Sequence, residues 1–339
     1  MASPRPVANP PNPFRSAHVE WEGPPPDVRL EVYEEHARSI VSENDSPDVG
    51  FRYSVNPYRG CFHGCIYCYA RPSHQYLGFG AGTDFDRKIV VKVNAPERLH
   101  ARLSSPRWSG APIAFSGNTD CYQPLEASYA LTRRCLEVCL AHANPVGVIT
   151  KGNVIRRDVA LLAALERRTG ARVSISLAFD DDAMRRRFDP FAAPVHARLD
   201  TIRRLADAGV PVGVGVSPIL PGVNDAAIPA ILERAAEAGA THAFMTLVRL
   251  PAEVRPYFEV RLEELLPQRA RKVRHGIREL RGGRANDPRF GARMRGQGAR
   301  WRTIEQLFAM HARRLGLTRT EGSDPPARKR RQLALFDAE

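Results

Sequence analysis

Short apolar runs alternate with longer segments of helical periodicity through the middle of the chain. The apolar runs lie at 51–55, 113–116, 146–150, 173–177, 212–216 and 242–248. The segments with apolar positions at helical spacing lie at 126–142, 156–168, 194–208, 225–238 and 252–265. Strands that alternate with helices of this length are typical of βαβ units and a parallel sheet. The sequence therefore predicts an α/β protein.

The number of repeats distinguishes between two kinds of parallel sheet. Six strand–helix repeats without a Gly-x-Gly-x-x-Gly turn favour a barrel over a doubly wound nucleotide-binding sheet. A complete eight-stranded barrel takes about 250 residues, whereas the alternating block covers only residues 51–265. We therefore predict a partial (β/α)6 TIM-like barrel, within a domain at residues 46–265.

Two predicted strands each have one face of small or polar residues. Valines alternate with two glycines and a serine at 212–217, and Ser174 and Ser176 alternate with apolar residues. Because the bulky faces should meet the outer helices, the small faces should point into the barrel lumen. This predicts a hollow, polar lumen that suits a bound ligand. Alternatively, the small residues only relieve crowding between backbones.

The chain changes character on both sides of this block. Residues 1–45 are rich in proline and have the composition of an extended arm. Residues 266–315 hold fourteen basic and three acidic side chains and show helical spacing, which predicts a basic helical extension. Residues 316–339 have the composition of a disordered tail that ends in a short apolar peptide.

The net charge of +13 is concentrated in the predicted basic extension. Such asymmetry suggests a polyanionic partner, usually DNA or RNA, although a solvated basic face is the alternative. No apolar run approaches the ~18 residues of a membrane span. The residues after Met1 include no apolar stretch typical of a secretory signal. We therefore expect a cytoplasmic protein without a membrane partner.

Three cysteines are crowded into eight positions, in Cys61-Phe-His-Gly-Cys65-Ile-Tyr-Cys68. In a cytosolic chain, such crowding indicates metal or redox chemistry, since thiolates this close can bind one metal centre. A zinc ion would take a fourth ligand, for which His63 and His74 are candidates. A 4Fe–4S cluster can instead use three cysteines and leave one iron open to a ligand.

Placed after the first strand of a βα barrel, this Cys-x3-Cys-x-aromatic-Cys spacing resembles the radical S-adenosylmethionine (SAM) superfamily. Within it, the chain is similar to the spore-photoproduct-lyase-like branch over roughly residues 48–250. The similar stretches are 56–70, 150–151, 172–175, 188–190, 208–213 and 217–222. Arg-Pro-Ser-His at 71–74 and Lys-Ile-Val-Val-Lys at 88–92 resemble uncharacterised bacterial members of that branch.

The resemblance implies an enzyme with a 4Fe–4S cluster and SAM as cofactors. Cys61, Cys65 and Cys68 would bind three irons, and the SAM amino and carboxylate groups would chelate the fourth. One electron would cleave SAM to methionine and a 5′-deoxyadenosyl radical, which abstracts hydrogen from a substrate. This chemistry takes a dry site and a low-potential electron donor, such as a flavodoxin or a ferredoxin.

The resemblance also implies a set of SAM-binding residues. These are Tyr67, Asn118, Thr119, Asp120, Lys151, Ser174 and Ser176. Tyr67 would lie against the adenine, and the turn that ends at Asp120 would bind the SAM amino group. Lys151, at the end of the third strand, would pair with the SAM carboxylate.

The sequence departs from the lyases at one catalytic position. Spore photoproduct lyases carry a hydrogen-donor cysteine just after the second strand, where this chain has Gly117. Cys121 lies four residues further on and is our candidate for a displaced thiol donor, although it is also typical of an incidental loop cysteine. Tyr69 matches a family tyrosine near the radical path. Cys121 and Tyr69 are therefore the predicted catalytic residues.

Three functions remain open from the sequence. The first is a radical SAM enzyme that acts on nucleic acid, for which a DNA lesion in DNA repair is one candidate. The second is a radical SAM enzyme that acts on a protein or small molecule, with residues 266–315 meeting an acidic electron donor. The third is a non-enzymatic, zinc-stabilised nucleic-acid-binding protein.

The last apolar residues form a short motif, Gln332-Leu-Ala-Leu-Phe336. It resembles the Gln-Leu-x-Leu-Phe peptide by which bacterial DNA polymerases and repair proteins dock on the replicative sliding clamp. Leu335 and Phe336 would fill an apolar pocket, and Gln332 would provide a polar anchor. The sequence thus predicts the DNA sliding clamp as a partner. Alternatively, these side chains fold back on the protein's own surface.

Overall fold

The computed structural model describes residues 29–320, which form an α/β fold around two sheets. The strands are β1 Glu31–Glu35, β2 Val41–Glu43, β3 Tyr53–Val55, β4 Tyr58–Arg59, β5 Lys88–Lys92, β6 Ile113–Phe115, β7 Val146–Thr150, β8 Ala171–Ser176, β9 Val212–Ile219, β10 His242–Leu247 and β11 Thr318–Arg319. Eight of them form one sheet in the order β2-β3-β6-β7-β8-β9-β10-β11. Strands β3 to β11 of that sheet are parallel, and β2 is antiparallel to β3.

Helices connect the strands and cover the sheet. They are α1 Thr83–Arg87, α2 Ala95–Leu103, α3 Glu126–Tyr129, α4 Leu131–Ala141, α5 Val159–Arg168, α6 Asp182–Phe188, α7 Val195–Asp207, α8 Ile228–Glu237, α9 Val254–Leu265, α10 Ala270–Leu280 and α11 Gly298–Arg314. Short 3-10 helices lie at Arg71–Leu77, Val154–Asp158 and Asp225–Ala227. The predicted α/β class and the six predicted parallel strands are confirmed.

A second, smaller sheet was not predicted. Its order is β1-β5-β4, with β1 parallel and β4 antiparallel to β5. Strand β1 lies within the segment expected to be an extended arm, so the end of that segment is sheet structure instead. Similarly, β11 lies in the segment expected to be a disordered tail and pairs with β10. Residues 1–28 and 321–339 lie outside the described residues.

The lower part of the barrel lumen is filled, which corrects the expectation of a hollow lumen. A Cβ added at Gly213 would lie 2.3 Å from the backbone oxygen and ring of His242. A Cβ added at Gly215 would lie 2.6 Å from the ring of Phe244. The glycines of β9 therefore make room for two rings from the neighbouring strand β10, as close approach in a sheet requires. Open space remains only towards the carboxyl ends of the strands.

The predicted basic extension packs over the carboxyl end of β10. The backbone N–H of Leu247 donates to the carbonyl of Met294 over 3.0 Å. The side chain of Arg281 is 2% exposed and donates to the carbonyls of Val248, Ala292, Arg293 and Arg295 over 2.8–3.1 Å. This one guanidinium joins the end of the sheet to the 292–295 turn. Among the described helices, none has both the length and the apolar character needed to cross a membrane.

Replacing Arg281 with methionine should destabilise the fold strongly. The change leaves several buried carbonyls without a donor, and we expect a loss of about 2–4 kcal/mol in the free energy of unfolding. Denaturant titration measures it, with Arg278→Met on the exposed face of α10 as the matched control. If the two variants unfold within about 0.5 kcal/mol of each other, the joining role of Arg281 is wrong.

Candidate active site

A cavity of about 190 Å³ lies where the parallel strands end. It is lined by Cys61, His63, Cys65, Tyr67, Cys68, Tyr69, Ser116, Asn118, Thr119, Asp120, Ile149, Thr150, Lys151, Ser176, Ser217, Pro218, Thr246, Leu247, Arg249 and Met294. Ten of the twelve predicted site residues are in this lining. Segments from β6, β7, β8, β9 and β10 meet here because the carboxyl ends of parallel strands share one edge.

Cys121 and Ser174 are the two predicted site residues outside the lining. Cys121 is fully buried, and its backbone N–H donates to Ser116 Oγ over 2.8 Å. Burial raises the pKa of its thiol well above the usual value. Ser174 Oγ lies 3.3 Å from Nε2 of His242, which fills the lumen below the cavity. Neither side chain reaches the open space, so the thiol-donor role expected for Cys121 lacks access to it.

Tight turns place Cys61, Cys65 and Cys68 on one wall of the cavity. The N–H of Gly64 donates to the carbonyl of Cys61 over 3.3 Å, and the N–H of Cys68 donates to the carbonyl of Cys65 over 3.2 Å. Gly60 precedes the loop with a φ of +79°, and a Cβ there would lie 2.9 Å from the His74 ring. Only glycine fits both that backbone conformation and that space.

The donor set fits a 4Fe–4S cluster better than a single metal ion. Within residues 29–320, no three Cys, His, Asp or Glu side chains converge closely enough to hold one ion. A zinc ion requires such convergence, since each thiolate lies about 2.3 Å from it. In an iron–sulfur cluster, each thiolate binds a different iron, so three thiols on one wall are suitable without meeting at a single ion.

The two histidines considered as zinc ligands have different surroundings. His74 Nε2 lies 2.8 Å from the carbonyl of Lys88, and the ring packs on Phe85, away from the cavity. His63 is in the lining, with Nδ1 3.3 Å from Asp120 Oδ2. Burial opposes its protonation, but the nearby Cys61 and Asp120 outweigh burial and raise the pKa of His63 to about 9.

Asp120 is already saturated with protein partners. Its Oδ1 accepts from Thr150 Oγ1 over 2.6 Å and from the N–H of Tyr122 over 2.9 Å. Its Oδ2 accepts from the N–H of Lys151 over 2.7 Å and faces His63. Burial alone would raise the pKa of Asp120, but His63 and these donors lower it to about 2. The carboxylate thus ties the loop after β6 to the end of β7.

The turn before Asp120 is held by a side chain that sequence reasoning missed. Asn56 Oδ1 accepts from the N–H of Asn118 over 2.9 Å and from that of Thr119 over 3.3 Å. Thr119 Oγ1 donates to the carbonyl of Tyr58 over 2.7 Å. Tyr69 lies beside this turn, and its hydroxyl donates to the carbonyl of Gly117 over 2.9 Å.

The segment at residues 188–191, which includes the similar stretch at 188–190, supports the cysteine loop. The hydroxyl of Tyr67 donates to Asp189, which is fully buried and lies 3.7 Å from Arg198. The N–H of Ile66 donates to the carbonyl of Phe188 over 3.0 Å. These contacts fix the Tyr67 ring at the cavity wall.

Lys151 is the cation on the cysteine side of the cavity. Its Nζ lies 5.7 Å from the centre of the Tyr67 ring. Burial lowers the pKa of Lys151, but electrostatic interactions with Cys65 and Asp189 outweigh burial and raise it. The lysine therefore carries a positive charge beside the three thiols, where an anionic ligand group would meet it.

Arg71 supports the cysteine loop from behind and was missed by sequence reasoning. It is fully buried, and its Nη2 and Nε donate to the carbonyl of Cys65 over 2.9 and 3.2 Å. The same guanidinium donates to Gly82 O over 2.7 Å and to Asp86 over 2.9 Å, and lies 4.0 Å from the Tyr257 ring centre. The only signal for it was its place in the 71–74 stretch.

Another wall of the cavity comes from the ends of β9 and β10, where Ser217 continues the small face predicted for β9, and from the basic extension. The hydroxyls of Ser217 and Thr246 are hydrogen-bonded to each other at the ends of β9 and β10. Arg249 and Met294 complete that wall, with Arg249 Nη1 3.7 Å from Met294 Sδ. Met294 belongs to the basic extension, so the extension forms part of the cavity itself.

Comparison with known proteins identifies the class of this site. Residues 55–235 match the Radical SAM superfamily, and the chain belongs to this superfamily. An uncharacterised protein of Mycobacterium tuberculosis is 37% identical over 226 residues, which are 66% of either chain and so just under two thirds of that relative's length. A Pseudomonas phage M6 protein named radical SAM Nalpha-GlyT isomerase is 28% identical over 197 residues, 57% of this chain and 39% of that protein.

A solved structure has the same fold. Spore photoproduct lyase complexed with dinucleoside spore photoproduct has a TM-score of 0.63 and 16% identity. The match covers 88% of this chain and 87% of that chain. The similarity to spore photoproduct lyase expected from the sequence is therefore confirmed at the level of the fold.

Replacing Arg71 with methionine should reduce iron loading of the protein. The Cys65 carbonyl would lose two charged hydrogen bonds, so the loop would hold its thiols in less uniform positions. Iron per chain after anaerobic reconstitution should fall at least about twofold, within the 10–100-fold range of affinity losses typical for supporting residues. Arg71→Lys should also load poorly, since an ammonium cannot replace the planar fork. Exposed Arg167→Met is the matched control, and equal iron content in all variants would contradict this role.

Proposed function

We propose that this chain is a radical SAM enzyme that abstracts hydrogen from a nucleic-acid substrate. Cys61, Cys65 and Cys68 would hold a 4Fe–4S cluster with SAM beside it. Bound together, these groups supply reductive cleavage of SAM and a 5′-deoxyadenosyl radical. The observation that carries the proposal is the shared cavity, in which three thiols and a half-buried lysine meet at the carboxyl ends of the strands.

Each SAM-facing residue has a distinct task in this proposal. Lys151 supplies the positive charge that pairs with the SAM carboxylate. Tyr67, held by Asp189, presents a fixed ring to the adenine. Asn118 and Thr119 line the amino-group side, where Asn56 holds their backbone in position. Ser176 adds a hydroxyl at the end of β8.

Asp120 supports the proposed binding of the SAM amino group indirectly, by holding the neighbouring backbone in position. Its carboxylate is engaged by four protein donors, so it orients the turn and the Lys151 backbone. Tyr69 lies at the cavity edge, where the radical path predicted for it would pass. A substrate that fills the cavity would exclude water from it, which protects a carbon-centred radical.

Two observations support a nucleic-acid substrate. The basic extension contributes Met294 to the cavity wall, so the cavity borders on a strongly basic part of the chain. The similar lyase structure contains a dinucleoside, and this substrate class, with DNA repair as its setting, fits the same fold. A protein or small-molecule substrate is the second candidate. A steep fall of binding affinity with salt would separate the two.

The proposed chemistry has partners besides the substrate. It needs a low-potential electron donor, and a flavodoxin or ferredoxin in the cytoplasm would serve. This requirement favours the cytoplasmic location expected from the sequence.

Replacing any one of Cys61, Cys65 and Cys68 with alanine should abolish formation of 5′-deoxyadenosine. Each replacement removes one iron ligand, whereas Cys135→Ala on α4 removes only a buried apolar contact and should retain activity. Anaerobic assay with dithionite and SAM, with iron counted in parallel, measures the effect. Formation of 5′-deoxyadenosine at the wild-type rate by any of the three cysteine variants would rule out the cluster assignment.

We also propose the sliding clamp as a partner through Gln332–Phe336, which lies outside the described residues. The full chain should bind a bacterial clamp in the micromolar range, because a short peptide must be ordered on binding. Leu335→Ala combined with Phe336→Ala should weaken this binding at least about tenfold. Isothermal titration calorimetry tests it, with Gln332 and the barrel left intact. Unchanged affinity of the double variant would exclude the motif.

A further inference from the structure

Arg249 is a half-buried cation in the cavity without a carboxylate partner among the described residues. Its contacts are neutral, since Nη1 faces Met294 Sδ at 3.7 Å and the guanidinium carbon lies 5.1 Å from the Tyr69 ring centre. Burial and the neighbouring positive charge of Arg293 lower the pKa of Arg249. The negative charge of Asp48 also acts on Arg249 but is paired with Arg293, so the Arg249 guanidinium is partly removed from water with no carboxylate of its own, which favours binding of an anionic ligand.

Nearby arginines have different surroundings. Arg293 is paired with Asp48 and contacts Ser46. Arg300 is paired with Asp225 and Glu279 on the surface of the extension. Since these cations have structural partners, Arg249 stands out as the one aimed into the cavity lining.

Besides His63, which faces Asp120, the cavity lining contains two cations, Lys151 and Arg249. Lys151 lies beside the thiols and, in the proposed function, pairs with the carboxylate of SAM. Arg249 lies on the wall formed with Thr246 and Met294, where a substrate would enter. A guanidinium offers a planar fork of donors that matches a phosphate or a carboxylate. The substrate should therefore carry an anionic group.

The neighbouring surface favours a phosphate over a carboxylate. Phe290 precedes Met294 by four residues and is 60% exposed. The Arg293 guanidinium lies 4.6 Å from its ring centre. Exposed aromatic rings beside arginines provide stacking platforms for the bases of single-stranded nucleic acid.

We propose that Arg249 binds a backbone phosphate of a single-stranded nucleic acid whose adjoining base stacks on Phe290. This inference rests on the proposed function and specifies its substrate side. The strand would enter along the exposed ring and present the nucleotide beside Arg249 to the cavity. Arg249 acts as a binding and positioning residue, and the radical chemistry remains at the thiol wall.

The test uses the full chain and two probes at about 150 mM salt, where nonspecific charge effects are reduced. One probe is a fluorescein-labelled thymidine tetranucleotide with phosphodiester linkages, and the other has neutral methylphosphonate linkages. Arg249→Gln should weaken phosphodiester binding about tenfold and change methylphosphonate binding less than about twofold. Phe290→Ala should weaken both probes by a similar factor, because stacking does not depend on linkage charge.

Controls separate this inference from its alternatives. Arg167→Gln removes an exposed charge on α5 outside the lining and should change neither affinity by more than about twofold. Equal losses for both probes in Arg249→Gln, or no loss, would overturn the phosphate assignment. Tighter, Arg249-dependent binding of an acetylated glutamate-containing tetrapeptide would assign the subsite to a peptide carboxylate instead.

A failure of the proposed radical chemistry can be distinguished from a failure of the Arg249 inference, because the two are measured in separate assays. Wild-type protein that forms no 5′-deoxyadenosine with reductant and SAM would overturn the radical chemistry, whereas probe binding is measured without reductant. Wild-type protein that forms 5′-deoxyadenosine but shows no preference for the phosphodiester probe would overturn the Arg249 inference alone.

Discussion

The loop that carries the three cysteines lies outside regular strands and helices, so distant parts of the chain must satisfy its backbone. Gln123 donates to Gly60 O and accepts from the N–H of Phe62, and Arg71 donates twice to Cys65 O. The 188–191 segment adds backbone hydrogen bonds at Ile66 and His63. Buried backbone groups are costly without such partners. The position of the thiols, and hence of the cavity, therefore depends on side chains that form no part of the cysteine motif.

The strand pattern was predictable because burial imposes it locally. Strands β6 to β10 are buried over most of their length, so most of their residues are apolar or small, as at Val146–Thr150 and Val212–Ile219. The lumen was not predictable from one strand at a time. Gly213 and Gly215 indicated open space, yet the rings of His242 and Phe244 from the next strand occupy it. Alternation assigns a residue to a face of the sheet but does not show which side chain of the neighbouring strand fills the space beside it.

The same limitation explains the outcome at the site. Motif spacing placed the cysteine loop and Lys151 at the strand ends, because topology alone brings those ends together. Cys121 is near in sequence, but the turn that hydrogen-bonds its N–H to Ser116 leaves it fully buried and outside the cavity lining. Arg249 and Met294 are separated by 45 residues and meet where Arg281 and the N–H of Leu247 anchor the 292–295 turn. Contacts of that kind leave no periodic signal.

The bracing of the cysteine loop also bears on how a cofactor is acquired. Many small metal sites become ordered only when the metal binds, so that folding and loading are one process. Here the loop is tied to three separate segments by protein contacts alone, through Arg71, through Gln123 and through Phe188 with Phe191. Its ordering free energy is supplied by the fold. In the proposed function, cluster assembly would then be transfer to a preorganised receptor, in which the affinity for iron is not reduced by the entropy of ordering the chain.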